Sequence, residues 1–429
     1  MAAFVGIDVG TSAAKAILID ESGRIVAQAS AEYPLSTPRP GWSEQDPEHW
    51  WTAVQACLAE IVTGSVDGIG LTGQMHGAVF LDEGMKVIRP AILWNDQRTA
   101  EECAQIDAAV GVDRYREITC NPPMTGLQLP KVLWLRKHEP EAFRRVRHVL
   151  LPKDYIRYRL TGALATDVPD ASGTGAFDVP NRRWSQEVLS ALDVDPSWLP
   201  PSFESDERTG LTADGVPVVA GAGDQAAAAM GTGAVRPGIV SISLGTSGVV
   251  FGCVDKPTAD RNGVTNTFCH ANRGWHAMGV MLSCGGALRW YRDVFRPGWS
   301  YDAIAAEAAI VASGADGLRF APYLSGERCP INDPTLTASF TGATLAHGPA
   351  HFSRAVFEGV TRGLAGCYEA LAAVGVRADE IRLTGGGAKS AFWRGLLEEA
   401  LGRPCAPVEI DEGPAYGAAC LARTSLLHG

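Results

Sequence analysis

The chain has 429 residues, 46% of them hydrophobic and 20% charged. That composition belongs to a folded globular protein and excludes a disordered one, and at this length a single core splits, giving about two or three domains. A formal net charge of −11, with no basic run or arginine-rich face, argues against nucleic acid and against an anionic membrane surface as partners.

The first predicted element is a hairpin. Phe4, Ile7 and Val9 alternate into Gly10-Thr11-Ser12 and then into a second apolar run, Ala16 to Ile19, the pattern of two strands joined by a tight turn. The same frame returns 235 residues later. Ile7, Val9, Gly10, Thr11, Ser12 and Asp20 answer to Ile242, Leu244, Gly245, Thr246, Ser247 and Asp255, which divides the chain into two related halves. A Gly-Thr-Ser turn presents backbone N–H groups and two hydroxyls with no bulky side chain in the way, a concave donor site suited to phosphate oxygens. Asp8 precedes the first turn where Ser243 precedes the second. A carboxylate beside a phosphate needs a cation between them, so Asp8 is the candidate for positioning a hydrated Mg²⁺.

Next, Asp46 and Pro47 read as the cap and first residue of a helix whose apolar stripe is Trp50, Trp51, Val54, Cys57, Leu58 and Ile61, more often plain core than a binding face. A strand over residues 67–73 follows and repeats at 379–385, both with the pattern D-x-I-x-L-T-G. The loops after the two copies differ. The first is Gln74-Met75-His76-Gly77, polar and able to recognise a hydroxylated ligand. The second is Gly385-Gly386-Gly387-Ala388-Lys389-Ser390, opening a helix from about Ala391 to Leu401 and suited to close approach by a nucleotide. It is not a P-loop, because Leu383 and Ala388 stand where that motif needs glycine.

Trp94-Asn95-Asp96-Gln97-Arg98 offers an aromatic face, an amide, a carboxylate and a guanidinium in five residues, the mixture a sugar site needs, though a surface turn with an incidental Trp has the same composition. Asp224 is the sole charge between Val216 and Val235; a lone carboxylate at a strand end facing a helix is either a helix cap or a catalytic base. Residues 231–238, with three glycines, read as the connection between halves and a potential hinge. The ten cysteines show no C-x-x-C pair or metal-ligand spacing and read as reduced core residues. The most apolar windows, 240–250 and 220–235, are broken by glycines and fall short of a membrane span. A strand at the very start leaves no room for a signal peptide, so a cytoplasmic location is expected.

Together these segments resemble the FGGY family of carbohydrate kinases nearly from end to end. GIDVGTS, WSEQDPEHWW, GQMHGA, RPAILWNDQR, HVLLPKDYIR, SLGTSGV, YLSGER, SRAVFEG, LTGGGAKS and GPAYGAA occur in the family's order, and GQMHG with WND resembles its xylulose-phosphorylating members. Departures are Gln225, where the best-known relatives carry asparagine, Gln128 and Ala343 within the two family signatures, and an end soon after GPAYGAACLA.

The resemblance implies an α/β, two-domain actin/hexokinase-like fold, a duplicated ribonuclease H-like unit with a cleft between domains. Residues 1–235 would carry the sugar site and the base, and residues 236–429 the nucleotide. It implies ATP with Mg²⁺, Asp224 as the general base toward the primary hydroxyl of a ketopentose, Asp8 near the metal, and a sugar pocket of Met75, His76, Trp94, Asp96 and Gln225. Gly10, Thr11, Ser12, Gly245, Thr246, Ser247, Gly385, Gly386 and Gly387 would hold ATP. The implied activity is phosphorylation of D-xylulose to D-xylulose 5-phosphate in D-xylose catabolism. A kinase of another ketose or polyol such as ribulose or glycerol, a non-catalytic sugar or nucleotide sensor on the same fold, and assembly as a homodimer stay open.

Overall fold

The computed structural model describes residues 2–408 and 413–427. The chain divides into two compact units, one of Met1–Gly233, Phe268–Trp275 and Glu412–Gly429, the other of Ala234–Thr267 and His276–Asp411. Against a division at 235/236, two segments change sides: residues 268–275 and the C-terminal helix Gly413–Leu427 pack with the first unit.

The two halves share a kernel. In the first, strand Ala3–Val9 runs antiparallel to Ala13–Asp20 and parallel to Gly68–Gly73. In the second, Gly238–Leu244 runs antiparallel to Gly248–Val254 and parallel to Ala378–Thr384. The register repeats as well: Ile7 pairs with Leu71 as Ile242 pairs with Leu383, and Asp8 with Thr72 as Ser243 with Thr384. A one-residue slip would send every side chain to the opposite face of its sheet, so the shared register establishes the duplication in three dimensions. The first sheet runs from Arg208–Leu211 through Pro217–Val219, Gly68–Gly73, Ala3–Val9 and Ala13–Asp20 to Ile25–Glu32. The second runs from Asn266–Cys269 through Trp275–Met281, Gly248–Val254, Gly238–Leu244 and Ala378–Thr384 to Cys405–Pro407.

Strand Ala3–Val9 reads as a continuous apolar run because both of its faces are covered. Helix Pro47–Ile61, capped by Asp46 accepting from the Glu48 N–H, sets Trp50, Val54, Cys57 and Ile61 against one face. The opposite face receives the C-terminal helix, and here glycine decides the geometry. Gly6 and Gly70 are register partners. A Cβ on Gly6 would lie 1.9 Å from the Ala415 carbonyl oxygen, and one on Gly70 1.9 Å from that of Ala418. The same helix presses Gly417 onto the next helix, Asp224–Thr232, where an added Cβ would lie 1.7 Å from Ala227 O. Backbone therefore meets backbone on two sides of the C-terminal helix, and the helix bearing Asp224 is fixed against it.

The ten cysteines are free, and all but Cys103 and Cys420 are buried. Among the described residues no helix is long and apolar enough to cross a membrane.

Candidate active site

In the first unit the Gly10-Thr11-Ser12 turn is held from behind. Gly10 O accepts from Tyr33 Oη at 2.5 Å and Gln74 Nε2 at 3.2 Å, Thr11 O from Gln45 Nε2 at 2.7 Å, and Ser12 O from the Tyr33 N–H at 3.2 Å. Gln45 is fixed in turn by Trp50 Nε1 at 2.9 Å. With the carbonyls pinned inward, the turn offers its peptide N–H groups and hydroxyls outward, the arrangement an anion requires. Tyr33 and Gln45 escaped sequence reasoning, since neutral polar side chains carry no signal until the fold sets them behind the turn, and Gln74, read as part of a polar ligand loop, has its amide behind the turn as well.

Two carboxylates belong to this unit's site. Asp8 lies at the strand end before the turn, and its Oδ1 is buried without a hydrogen-bond partner. Burial first, and then the charge of Asp224, push its carboxyl up to about 7, against the opposing pull of Lys15. Asp224 opens helix Asp224–Thr232 as its first residue; the cap position belongs to Gly223, and no side chain caps there. Asp224 is therefore not the N-cap residue of its helix. Burial raises Asp224 to about 6, opposed by hydrogen bonds from Gln225, so the group is ionised at neutral pH yet basic enough to take a proton.

Met75 and His76 sit beside it. A Cβ on Gly223 would lie 2.7 Å from Met75 Cγ, and one on Gly173 2.7 Å from His76 Cε1, so both residues are packed against backbone that only glycine permits. His76 takes a left-handed φ of 67°, uncommon for a residue with a Cβ, and is held there at two points. Its Nδ1 donates to Gly173 O at 2.6 Å, which fixes the tautomer and turns Nε2 into the acceptor. Its carbonyl accepts from Lys131 Nζ at 2.7 Å.

Lys131, another residue sequence reasoning missed, is fully buried and held by carbonyls, His76 O and Gly126 O, rather than by a carboxylate. Burial lowers its ammonium to about 7, against the raising effect of Asp96. The unfolded chain, with lysine near 10.4, then binds more protons between about pH 7 and 10, so the destabilising contribution of Lys131 is full below that window and fades as pH rises through it. We expect the urea midpoint of the wild type, relative to Lys131→Met, to climb between pH 7 and 10; a pH-independent difference would refute the assignment.

Trp94 and Asp96 part company. Trp94 is 42% exposed, and its Nε1 donates to Thr11 Oγ1 at 2.9 Å, which ties the WND segment to the turn. Asp96 is fully buried. Its Oδ2 accepts from the Ser43 N–H at 2.6 Å and Arg98 Nη2 at 2.7 Å, and its Oδ1 from the Arg98 N–H and Nε, both at 2.9 Å. Both oxygens are thus engaged within the fold, and Asp96 holds the loop that carries Trp94. Arg98 completes that lock, lying 3.6 Å over the Trp42 ring.

Beneath Gly223 lies a buried ionic cluster. Lys153 Nζ is 2.7 Å from Asp154, 2.6 Å from Asp167 and 3.1 Å from Asp170, all without exposure. Burial pushes Asp170 well above the usual carboxylate range, and its Oδ1 would lie 3.3 Å from a Cβ on Gly223. Arg157 Nη1 and Nη2 hold the Val219 and Ala220 carbonyls leading to Asp224.

In the second unit the Gly245-Thr246-Ser247 turn is pinned by a different device. Gly245 O accepts from the Gly285 N–H at 2.8 Å, and Thr246 O from those of Cys284 at 3.0 Å and Gly286 at 2.9 Å. Gly385, at φ 80°, lies against the same turn, since its Cβ would be 3.0 Å from Leu244 O and 3.2 Å from Gly245 N. Residues Gly386–Lys389 form one 3₁₀ turn, after which Ser390 caps helix Ala391–Leu401 by accepting from the Trp393 N–H at 3.3 Å. Gly386 has nothing within 4 Å of an added Cβ and presents open backbone. The structure thus brings together two glycine segments 140 residues apart.

Comparison with known proteins finds two successive domains, the second of which includes residues 268–275 and the C-terminal helix that pack here with the first unit. Residues 3–231 match the N-terminal domain, and residues 240–426 the C-terminal domain, of the FGGY family of carbohydrate kinases. The chain is 42% identical to a xylulose kinase of Escherichia coli (strain K12), covering 98% of this chain and 89% of that protein. It is 43% identical to a xylulose kinase of Klebsiella pneumoniae, covering 99% and 90%. A crystal structure of a xyloylose kinase from Brucella ovis superposes with a TM-score of 0.94 at 38% identity, covering 100% of this chain and 91% of that one.

Proposed function

The chain belongs to the FGGY family of carbohydrate kinases, ATP-dependent enzymes of the actin/hexokinase-like fold, and from that premise we propose that it phosphorylates D-xylulose at its 5-hydroxyl in cytoplasmic D-xylose catabolism. The observation that carries the substrate is likeness to xylulose kinases over 98–99% of the chain, together with an acceptor loop whose Met75 packs directly against the glycine that precedes Asp224.

Phosphoryl transfer asks the protein for placement and charge neutralisation rather than covalent help. Asp224 orients the sugar's primary hydroxyl and accepts its proton. His76, with Nε2 as acceptor, receives a sugar hydroxyl, and Met75, Trp94 and Gln225 complete the acceptor side. On the donor side the N–H groups of the Gly245-Thr246-Ser247 turn and the backbone of Gly385, Gly386 and Gly387 bind ATP, and in the first unit the Gly10-Thr11-Ser12 turn is likewise suited to phosphate.

A divalent cation fits Asp8: its buried Oδ1 lacks a partner, and its carboxyl is raised partly by Asp224, a repulsion that a cation relieves. Among the described residues no group of three or more acidic, His or Cys side chains forms a metal cage. This suits Mg²⁺, which keeps several waters and shares its coordination with phosphate. When bound, the ion neutralises phosphate charge.

The reading is tested by ADP release with MgATP and D-xylulose, beside D-ribulose, L-ribulose, glycerol and no sugar. Selective turnover on D-xylulose supports it. Preference for another sugar supports the second reading, a kinase of a different ketose or polyol, to which the longer amide of Gln225 points. ATP binding without turnover on any sugar supports a sensor.

The donor side has its own test. Gly386→Ala adds a Cβ where nothing lies within 4 Å, so stability should not change. The KM for ATP should rise about tenfold if nucleotide approaches that backbone, the scale of one lost close contact or hydrogen bond. An unchanged KM would remove Gly386 from the nucleotide site.

A further inference from the structure

The segment YLSGER, residues 323–328, has no part in the reading above, yet Glu327 is 98% buried, being only 2% exposed. Its Oε1 accepts two backbone N–H groups, from Leu282 at 2.8 Å and Arg328 at 2.9 Å. Its own backbone is fixed by reciprocal bonds with Asp333, at 2.9 and 2.8 Å. The acceptor is therefore rigidly mounted.

What it holds matters more. Leu282 opens the run Leu282-Ser283-Cys284-Gly285-Gly286, and the last three residues of that run donate the N–H groups that fasten Gly245 O and Thr246 O. The run approaches so closely that a Cβ on Gly285 would lie 2.6 Å from Gly245 O, and one on Gly286 3.0 Å from Thr246 O. Cys284 is wedged from the other side, since a Cβ on Gly248 would lie 3.1 Å from Cys284 Cβ. A buried carboxylate thus anchors one end of a five-residue strap whose other end sets both carbonyls of the turn, and with them the directions of its N–H groups.

We infer that Glu327 is a positioning residue for the donor phosphates, holding the Leu282–Gly286 strap against the Gly245-Thr246-Ser247 turn. The inference rests on the reading of that turn as a phosphate-binding one. Charge-assisted bonds to buried backbone are the strong class of hydrogen bond, and their loss leaves the donors unsatisfied.

The test is steady-state kinetics of Glu327→Ala and Glu327→Gln with ATP and sugar varied separately, alongside thermal melts. For Glu327→Ala the KM for ATP should rise about tenfold or more, with the sugar KM within about twofold of wild type. Glutamine keeps the Oε1 acceptor and the side-chain volume, so Glu327→Gln should restore the ATP KM to within about twofold. A lowered melting temperature with both KM values unchanged would overturn the inference, and so would Glu327→Gln as impaired as Glu327→Ala, which would mean that negative charge rather than an acceptor is required. Should Glu327→Ala not fold, Glu327→Asp carries the test, since it retains charge but shortens the reach and should raise the ATP KM alone.

Gly245→Ala separates this inference from the reading beneath it. Its Cβ meets nothing closer than Ser247 O at 3.4 Å, so the fold tolerates it, and only a phosphate at the turn would be excluded. An unchanged ATP KM in Gly245→Ala refutes the phosphate reading itself. A raised one, with Glu327→Ala unaffected, refutes the strap.

Discussion

Asp224→Ala is expected to lower kcat by about 10² to 10⁴, the usual contribution of a positioned general base, while sugar binding stays within a few-fold of wild type. Two features make the effect this large. The carboxylate is the first residue of its helix, one place past the Gly223 cap, and its contacts are the local hydrogen bonds from Gln225, so its removal takes away chiefly a chemical group. Its pKa near 6 also lies close to the working pH, where a base is most effective.

The sign of the pH dependence follows. The proton-accepting form is the ionised one, so kcat/KM for the sugar should fall about tenfold per pH unit below about pH 6 and level off above it. The stability linkage runs the other way. A carboxyl whose folded pKa exceeds its unfolded value of about 3.9 stabilises the fold below that value, and this contribution is lost as pH rises through about 6. Asp224→Asn should therefore abolish the acidic limb of the rate while flattening the stability slope between pH 4 and 6. ADP release on D-xylulose and urea titrations across that range check both; a variant with near-normal kcat would remove Asp224 from the chemistry.

Gly70→Val is expected to cost about 3 kcal/mol or more, the upper end of overpacking penalties, and to leave little folded protein at 37 °C. The added Cβ would sit 1.9 Å from Ala418 O. The C-terminal helix cannot step aside, because its other flank already rests on the Asp224 helix at Gly417. Any retreat would also drag that helix and displace the base, so surviving activity should fall more steeply than the folded fraction. Thermal melts beside Gly386→Ala, which adds the same carbon in open space, isolate the steric effect. A melting temperature for Gly70→Val equal to wild type would show that the groove is looser than its distances require.

These two sites mark what the amino-acid order can and cannot convey. The duplicated Gly-Thr-Ser turns, the paired D-x-I-x-L-T-G strands, the Asp46-capped helix and the helix from about Ala391 to Leu401 were all legible, because each is a local pattern enforced by strand alternation, turn chemistry or capping. Their pairing in one register then follows from the repeat. Asp224 was legible as an isolated carboxylate, but whether it caps its helix or stands free was not, since a displacement of one residue decides it and Gly223 takes the cap.

Three things depended on the tertiary structure. Asp96 is one carboxylate in a polar segment, and only the approach of Ser43 and Arg98 shows how its oxygens are held inside the fold. Lys131, Gln45 and Glu327 looked ordinary, because a polar side chain gains its role from the carbonyl or N–H it meets across tens of residues. The C-terminal helix, 413–427, belongs to the first unit because Gly6 and Gly70 come into register and open a groove for its backbone. Local order fixes strands, turns and caps through interactions a few residues long. Which backbone fits against which depends on atoms brought within 2 to 4 Å from distant parts of the chain, and folding alone brings them there.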